Sequence, residues 1–346
     1  MLIQDIFKAA HQQQGSDVHL VVGYRPIVRI DGRLSELKKF KKITAKTARE
    51  ISQGICDKTQ QDFFNIDKEL DLSYETPDKV RYRINLHLQK GEVGLSARLI
   101  PKNIPTMEWV AMPEIVYELI QRKNGLILVT GASSHGKSTS LAAMINEINK
   151  TRAEHIITLE DPIEYLFTPV KSVIEQRELG PDMRSFNQAL KRTLRQDPNV
   201  IMVGEMRDLE SIASTVTLAE TGHLVFATLH TFSAAQTIDR IIDMFPPGQQ
   251  KQISGQLSIT LAGIITQKLL PKIGGGRVAV KEILVNNNAI ANLIRENKIN
   301  QINSVIQTSA AEGMITMDKA LAEAYKKKLI TKETAMAHAN NPRVIK

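Results

Sequence analysis

The 346-residue sequence contains a single cysteine, Cys56. An intramolecular disulfide and a cysteine-cage zinc site are therefore excluded, because these need two and usually four thiolates. Cys56 itself reads as a small buried hydrophobe in a reducing compartment. Long apolar runs are missing too. The opening MLIQDIFKAAHQQQG has no basic segment followed by an apolar stretch, and no uninterrupted apolar segment approaches the roughly 18 residues of a membrane helix. The chain is expected in the cytoplasm. Nor is there charge of one sign only: Lys+Arg 45 against Asp+Glu 37 leaves +8. That balance permits nucleotide phosphates, nucleic acid or an anionic membrane as partners and chooses none of them. The basic runs at 38–42 and 326–328 read as solvated faces, and the chain has no convincing repeat, heptad run or low-complexity tract.

What the sequence does contain is an ordinary globular composition, 42% hydrophobic and 24% charged, at a length that suggests two domains. Residues 1–100 read as a strand-rich module. DVHLVVG and RPIVRIDGRL alternate apolar and polar residues around a turn at Gly23 and an Asp31-Gly32 hairpin signal, and RYRINLHLQ with GLSARLI forms a second hairpin turning near Lys90-Gly91. TAKTAREISQGI between them has helical spacing. Three prolines in PKNIPTMEWVAMP make 101–112 a linker. From 113 onward GLILVTG, HIITLED, VIMVGE and HLVFATLH are apolar runs without alternation, separated by helical segments, as in a parallel sheet covered on both faces. Ligands of such sheets collect outside the carboxyl ends of the strands, and all four of these ends carry polar residues. Beyond about 247 the chain reads as mainly helical, with Gly274, Gly275 and Gly276 turning between strands.

The strongest chemical signal is GASSHGKS, which comprises Gly131, Ala132, Ser133, Ser134, His135, Gly136, Lys137 and Ser138 and is followed by Thr139. It matches the phosphate loop G-x-x-x-x-G-K-[ST], with a buried strand before it and an amphipathic helix after it. Successive backbone N–H groups and the positive helix end surround phosphates, Lys137 reaches the terminal pair, and the Ser138 hydroxyl ligates magnesium. VIMVGEMRD delivers Glu205 at a strand end, where a carboxylate can polarise an attacking water or hold magnesium through water. HIITLEDPIEY delivers Glu160, also a candidate for magnesium through water, with Asp161 beside it and Glu164 one turn on. His223 precedes the strand LVFATL and His230 ends it, which suits His230 to sensing phosphate; His19 and His87 read as structural.

These boxes occur in the order found in the secretion ATPases, and the sequence resembles the PilT/PilU pilus-retraction group over nearly its whole length, including GSDVHL, DRIIDMFP and the late NAIANLIRE segment. The resemblance implies an α/β chain with an N-terminal PAS-like α+β domain over 1–100, a linker over 101–112, and a RecA-like P-loop ATPase domain over 113–346 with a helical C-terminal part. It also implies a hexameric ring using ATP and Mg2+ to power pilus retraction. The ring would lie peripheral to the inner membrane at the pilus base, beside a platform protein and a paralogous retraction ATPase. It gives Arg83 and Arg98, in RYRIN and GLSAR, the task of reaching over the nucleotide, with Arg81 on the same strand face as Arg83. Guanidinium groups stay charged and grip phosphate oxygens bidentately.

Two departures from the group stand out. The loop is commonly GPTGSGKST in the family, whereas Ser134 replaces an inner glycine here, at a cost if that position needs positive φ, and His135 adds a titratable ring. Ala291 stands where retraction motors commonly carry arginine. Both leave room for a slow-turnover accessory ring subunit. A pilus-extension or type II secretion ATPase is disfavoured, since many of those carry a tetracysteine zinc insert. A nucleic-acid translocase would fit the charge and the core, but no further sequence feature supports it, and neither nucleic acid nor zinc is expected.

Overall fold

Strands that are apolar at every position need cover on both sides, whereas strands that alternate need it on one. The two halves of this chain follow these two rules. The computed structural model describes residues 2–345 apart from 31, 101 and 102. The mixed α/β chain divides into two compact units: Met1–Asn103 with Pro162–Leu166, and Ile104–Asp161 with Phe167–Lys346.

In the first unit, α1 (Ile3–Gln12), β1 (Asp17–Leu20), β2 (Ile27–Ile30), β3 (Arg33–Glu36), α2 (Ala45–Ile55), α3 (Lys58–Asp67), β4 (Glu69–Glu75), β5 (Arg81–Gln89) and β6 (Glu92–Ile100) follow in order. The strands form one antiparallel sheet, β3-β2-β1-β6-β5-β4. Alternation decides its faces. Tyr82, Ile84, Leu86, Leu95, Ala97 and Val18 share a core with Ile6 and Phe7 of α1 and Ile51 of α2. Tyr82 stacks on Phe7 with 4.0 Å between ring centroids and donates its hydroxyl to the Phe7 carbonyl at 3.1 Å. The intervening Arg81, Arg83, Asn85 and His87 of β5 are only partly buried. There His87 pairs with Asn85, while on β1 His19 pairs with Ser96 of β6, in keeping with structural roles. The Thr44 side chain caps α2, and Asp57 with Gln60 forms a reciprocal capping box on α3. Cys56 packs half buried against the same core, and burial pushes its thiol up to about 11, which leaves it unreactive. Lys90 and Gly91 turn the β5–β6 hairpin with positive φ; Asp31, half of the other expected turn, lies outside the described residues.

The second unit runs α4 (Glu114–Leu119), β7 (Gly125–Thr130), α5 (Lys137–Thr151), β8 (His155–Glu160), β9 (Val173–Glu178), α6 (Phe186–Thr193), β10 (Val200–Val203), α7 (Leu209–Glu220), β11 (Leu224–Leu229), α8 (Ala234–Asp243), α9 (Pro247–Thr260), β12 (Leu261–Pro271), β13 (Arg277–Val285), α10 (Asn288–Arg295), α11 (Ile302–Thr308), α12 (Met317–Lys326) and α13 (Lys332–His338). Its sheet has the order β13-β12-β7-β11-β10-β8-β9, parallel except for β13. Each central strand feeds two cores by turns. Leu126, Leu128, Ile201, Val203, Val225 and Ala227 pack with α6 to α11, while Ile127, Val129, Val200, Met202, Leu224 and Phe226 pack with α4 and α5. That is why these strands read as unbroken apolar runs. The edge strand β9 was not legible, because four of the six residues of VIEQRE are polar. Likewise LAGIITQKLLP and RVAVKEILV bring two long strands into a stretch expected to be mainly helical.

Part of the stretch expected as a linker is packed into this unit: Met107, Val110 and Met112 are buried against α4 and α5. Lys281 of β13 fastens it, donating to the Val110 and Ala111 carbonyls at 2.5 and 3.2 Å. Among the described residues no helix is long and apolar enough to cross a membrane.

Burial pushes the Lys281 ammonium down to about 8 from its usual 10.5. Between those values the unfolded chain holds a proton that the folded chain has released, so stability rises with pH, by up to about 3 kcal/mol. Urea unfolding from pH 7.5 to 10.5 should show this slope in the wild type, and Lys281→Met should flatten it.

Candidate functional site

Parallel pairing brings the carboxyl ends of β7, β11, β10 and β8 to one edge of the sheet in that spatial order. The loop 131–138 leaves β7 there. Gly131 has φ 142° and Gly136 φ 79°, the latter forming the left-handed entry to α5. A Cβ on Gly131 would lie 2.4 Å from the Gln267 carbonyl oxygen, so only glycine lets the loop pass β12 this closely. Ser134 has φ 63°: the position that the family commonly gives to glycine does take the left-handed conformation, and a serine there bears a cost of about 1 kcal/mol. Lys137 is buried and donates to the Gly131 and Ala132 carbonyls at 2.9 and 3.0 Å, which folds its ammonium across the loop.

A chain of polar contacts links this loop to the neighbouring strand ends. The Ser133 hydroxyl lies 3.4 Å from His230 Nδ1, at the end of β11. His230 Nε2 lies 3.3 Å from Glu205 Oε1, at the end of β10. The other Glu205 oxygen accepts from Arg207 Nε at 3.0 Å, and Arg207 Nη1 reaches Asp161 Oδ2, just past β8, at 3.3 Å. Backbone contacts fix the middle of the row: Gly204 donates to the Leu159 carbonyl at 2.8 Å, and Met206 N–H donates to the Thr228 carbonyl at 3.2 Å. Burial alone would loosen the proton on Arg207, but the hydrogen-bonded Glu205 and the nearby Asp161 more than reverse this, so the guanidinium is held more firmly charged than usual.

The other expected residues are placed elsewhere. Glu160 and Asp161 stand in different surroundings: Asp161 meets Arg207 at the end of the row, and successive residues at a strand end point to opposite faces. Glu160 is buried and accepts from Thr158 Oγ1 at 2.7 Å and Gln176 Nε2 at 3.1 Å. Glu164 lies in Pro162–Leu166, which belongs to the first unit. His223 stands at the other end of β11 from His230, about 20 Å away by strand rise. There its Nδ1 lies 2.9 Å from the Leu218 carbonyl oxygen and 3.2 Å from Thr221 Oγ1. In the first unit Arg83 is directly opposite Arg98, with Asp17 as the next residue across the sheet. Arg98 Nε donates to Asp17 Oδ1 at 2.9 Å. Burial raises the Asp17 carboxyl, but hydrogen bonds from Ser16 and Arg98 outweigh it and hold the carboxyl below its usual range. Arg81 pairs across with Ile100. In the late segment Ile290 and Ile294 are buried and Arg295 and Glu296 exposed, with Ala291 partly covered.

Two further residues at this edge lie outside the expected set. Arg207 sits within VIMVGEMRD, and its spacing from Glu205 was the available signal. Gln267 of β12 gave none: it lies far from the loop in sequence, yet its Nε2 donates to the His135 carbonyl and its Oε1 accepts from Ser140 Oγ.

The family model for Type II/IV secretion system proteins matches residues 1–336. A type IV pilus retraction ATPase, PilT, of Pseudomonas aeruginosa is 42% identical over 342 residues, covering 99% of each chain. The type IV pilus ATPase PilU of the same organism is 39% identical over 342 residues, covering 99% of this chain and 89% of its own. Among solved structures, the pilus retraction motor PilT with bound ADP superposes with a TM-score of 0.93 at 46% identity, covering 99% of this chain and 98% of that one.

Gly131→Ala should lower the unfolding free energy by about 2 to 3 kcal/mol through the forced φ and the clash with β12. Chemical denaturation checks it, and an unfolding curve that overlays the wild type would contradict the close approach.

Proposed function

The chain belongs to the Type II/IV secretion system protein family, and from that membership we propose that it is an ATPase that couples ATP hydrolysis to type IV pilus retraction as a homo-hexameric ring. The observation that carries this reading is the continuous polar row from the phosphate loop through His230 to Glu205, Arg207 and Asp161. Such a row connects a phosphate-binding element to the carboxylates that can orient water and to a group that can report the occupancy of the γ-phosphate position.

ATP is the substrate. The backbone N–H groups of the loop and the N-terminal end of α5 hold its phosphates, and Lys137 turns its ammonium from the loop carbonyls to them. A magnesium ion fits the donor set: the Ser138 hydroxyl opens α5, and the Glu205 and Asp161 carboxylates end neighbouring strands. Among the described residues no group of three or more His, Cys, Asp or Glu side chains could hold a metal ion, so phosphates and water must complete its shell. Bound there, it supplies charge neutralisation to the phosphates. Glu205 orients the attacking water and takes up its proton. His230, with one ring nitrogen toward Ser133 and the other toward Glu205, transmits the loop's position to that carboxylate.

Arg83 and Arg98 are the first unit's candidates for binding phosphate oxygens. Like charges directly opposite each other in a sheet oppose folding; Asp17 relieves part of this, and an anionic ligand would relieve more. A platform protein of the pilus machine and a paralogous retraction ATPase are the expected partners, at the cytoplasmic face of the inner membrane. A slower ATP-binding ring subunit is the second reading, favoured by Ser134 in the left-handed region.

Purified protein should hydrolyse ATP, and Glu205→Gln and Lys137→Ala should each lose about 100-fold or more in kcat/KM. Equal inactivity of the wild type and Glu205→Gln, with ATP still bound by both, would select the ring-subunit reading. Deleting the gene should leave cells with an excess of pili that fail to retract; bald cells would overturn the direction of transport.

A further inference from the structure

Gln267 is fully buried, carries no charge and belongs to none of the recognisable boxes. Its backbone and both ends of its amide nevertheless meet the phosphate loop and the helix after it at three points. The Gln267 carbonyl oxygen fills the space that a side chain on Gly131 would need. Nε2 donates to the His135 carbonyl at 2.6 Å. Oε1 accepts from the Ser140 hydroxyl, in the first turn of α5, at 2.8 Å. One residue earlier, Thr266 Oγ1 lies 2.8 Å from Thr130 Oγ1, the last residue of β7 before the loop. The start of the loop, its last free carbonyl and the helix that follows are thus all referenced to one position on β12.

We propose that Gln267 is a positioning residue for phosphate binding, setting the orientation of the His135-Gly136 peptide; the assignment rests on the nucleotide reading of the loop. A trans peptide is planar, with its C=O and N–H pointing in opposite directions. Drawing the His135 carbonyl toward β12 therefore aims the Gly136 N–H away from β12. The N–H groups of this stretch are those that a phosphate loop turns inward to its ligand. The side chain must offer one donor and one acceptor at the same reach, which glutamine does. Glutamate would set an oxygen against the His135 carbonyl, and methionine would leave both partners unsatisfied. A glutamine that merely satisfied its own burial would need no particular partners, whereas this one ties the His135 carbonyl of the loop to Ser140 on the helix that follows.

Isothermal titration with ADP and with inorganic pyrophosphate, together with thermal unfolding in the absence of either, tests the assignment on the full chain. Gln267→Met should weaken both ligands by about tenfold or more, in proportion, because both are held at the phosphate end, while the unsatisfied partners also lower the unfolding midpoint. Ser140→Ala, a substitution that a helix tolerates, should weaken both by about threefold. Combining the two should cost less than the product of their separate effects, since they share one link. Gln267→Met binding ADP within about twofold of wild type overturns the proposal, and so does a lowered unfolding midpoint with unchanged affinity. If Gln267→Met does not fold, wild-type affinity in Ser140→Ala overturns it instead. Failure of the wild type to bind ADP would overturn the nucleotide reading itself, and this inference with it.

Discussion

Parallel pairing of β7, β11, β10 and β8 is the constraint on which the rest of the site depends. Parallel strands point their carboxyl ends the same way, so one edge of the sheet collects four sets of strand-end residues. The packing that enforces the pairing is two-sided. Leu128 and Val129, neighbours on β7, face different cores, and slipping β7 by one residue would exchange every side chain between them. The row from Ser133 to Asp161 therefore inherits its spacing from strand pairing. Its members need only be the right residue types at the right strand ends.

Within that row Arg207 lies between Glu205 and Asp161, so one guanidinium contacts both carboxylates. His230 contacts Glu205 from the other side. The first unit solves a comparable problem differently. Arg83 and Arg98 stand side by side, and Asp17 neutralises part of their charge. Some of the +8 is thus held in place by folding, while the lysines at 38–42 flank an exposed turn whose backbone carbonyls accept from Arg25.

The residues legible in advance share one property: their chemistry is local. GASSHGKS forms its own turn between β7 and α5, and the β5–β6 hairpin registers Arg83 against Arg98 through its turn alone. Strands β7, β8, β10 and β11 were readable because burial on both faces removes alternation. Gln267 was not readable, since an amide within LAGIITQKLLP looks like an interruption until the strand lies against the loop. Glu160 and Asp161 looked alike in sequence, and only the pleat separated the buried one from the one that meets Arg207.

By itself the sequence determined which chemical groups are available and on what local structures they sit: a phosphate loop with a serine where glycine is common, acids at the ends of β8 and β10, and a histidine at the end of β11. The tertiary structure decided which of them are neighbours. Chain order runs β7, β8, β10, β11, but spatial order runs β7, β11, β10, β8. His230, the last of these groups in the chain, therefore stands next to the loop, Glu205 follows, and Asp161 comes last. Helical crossovers let parallel strands pair out of chain order, and packing across the whole sheet, rather than proximity along the chain, selects the order.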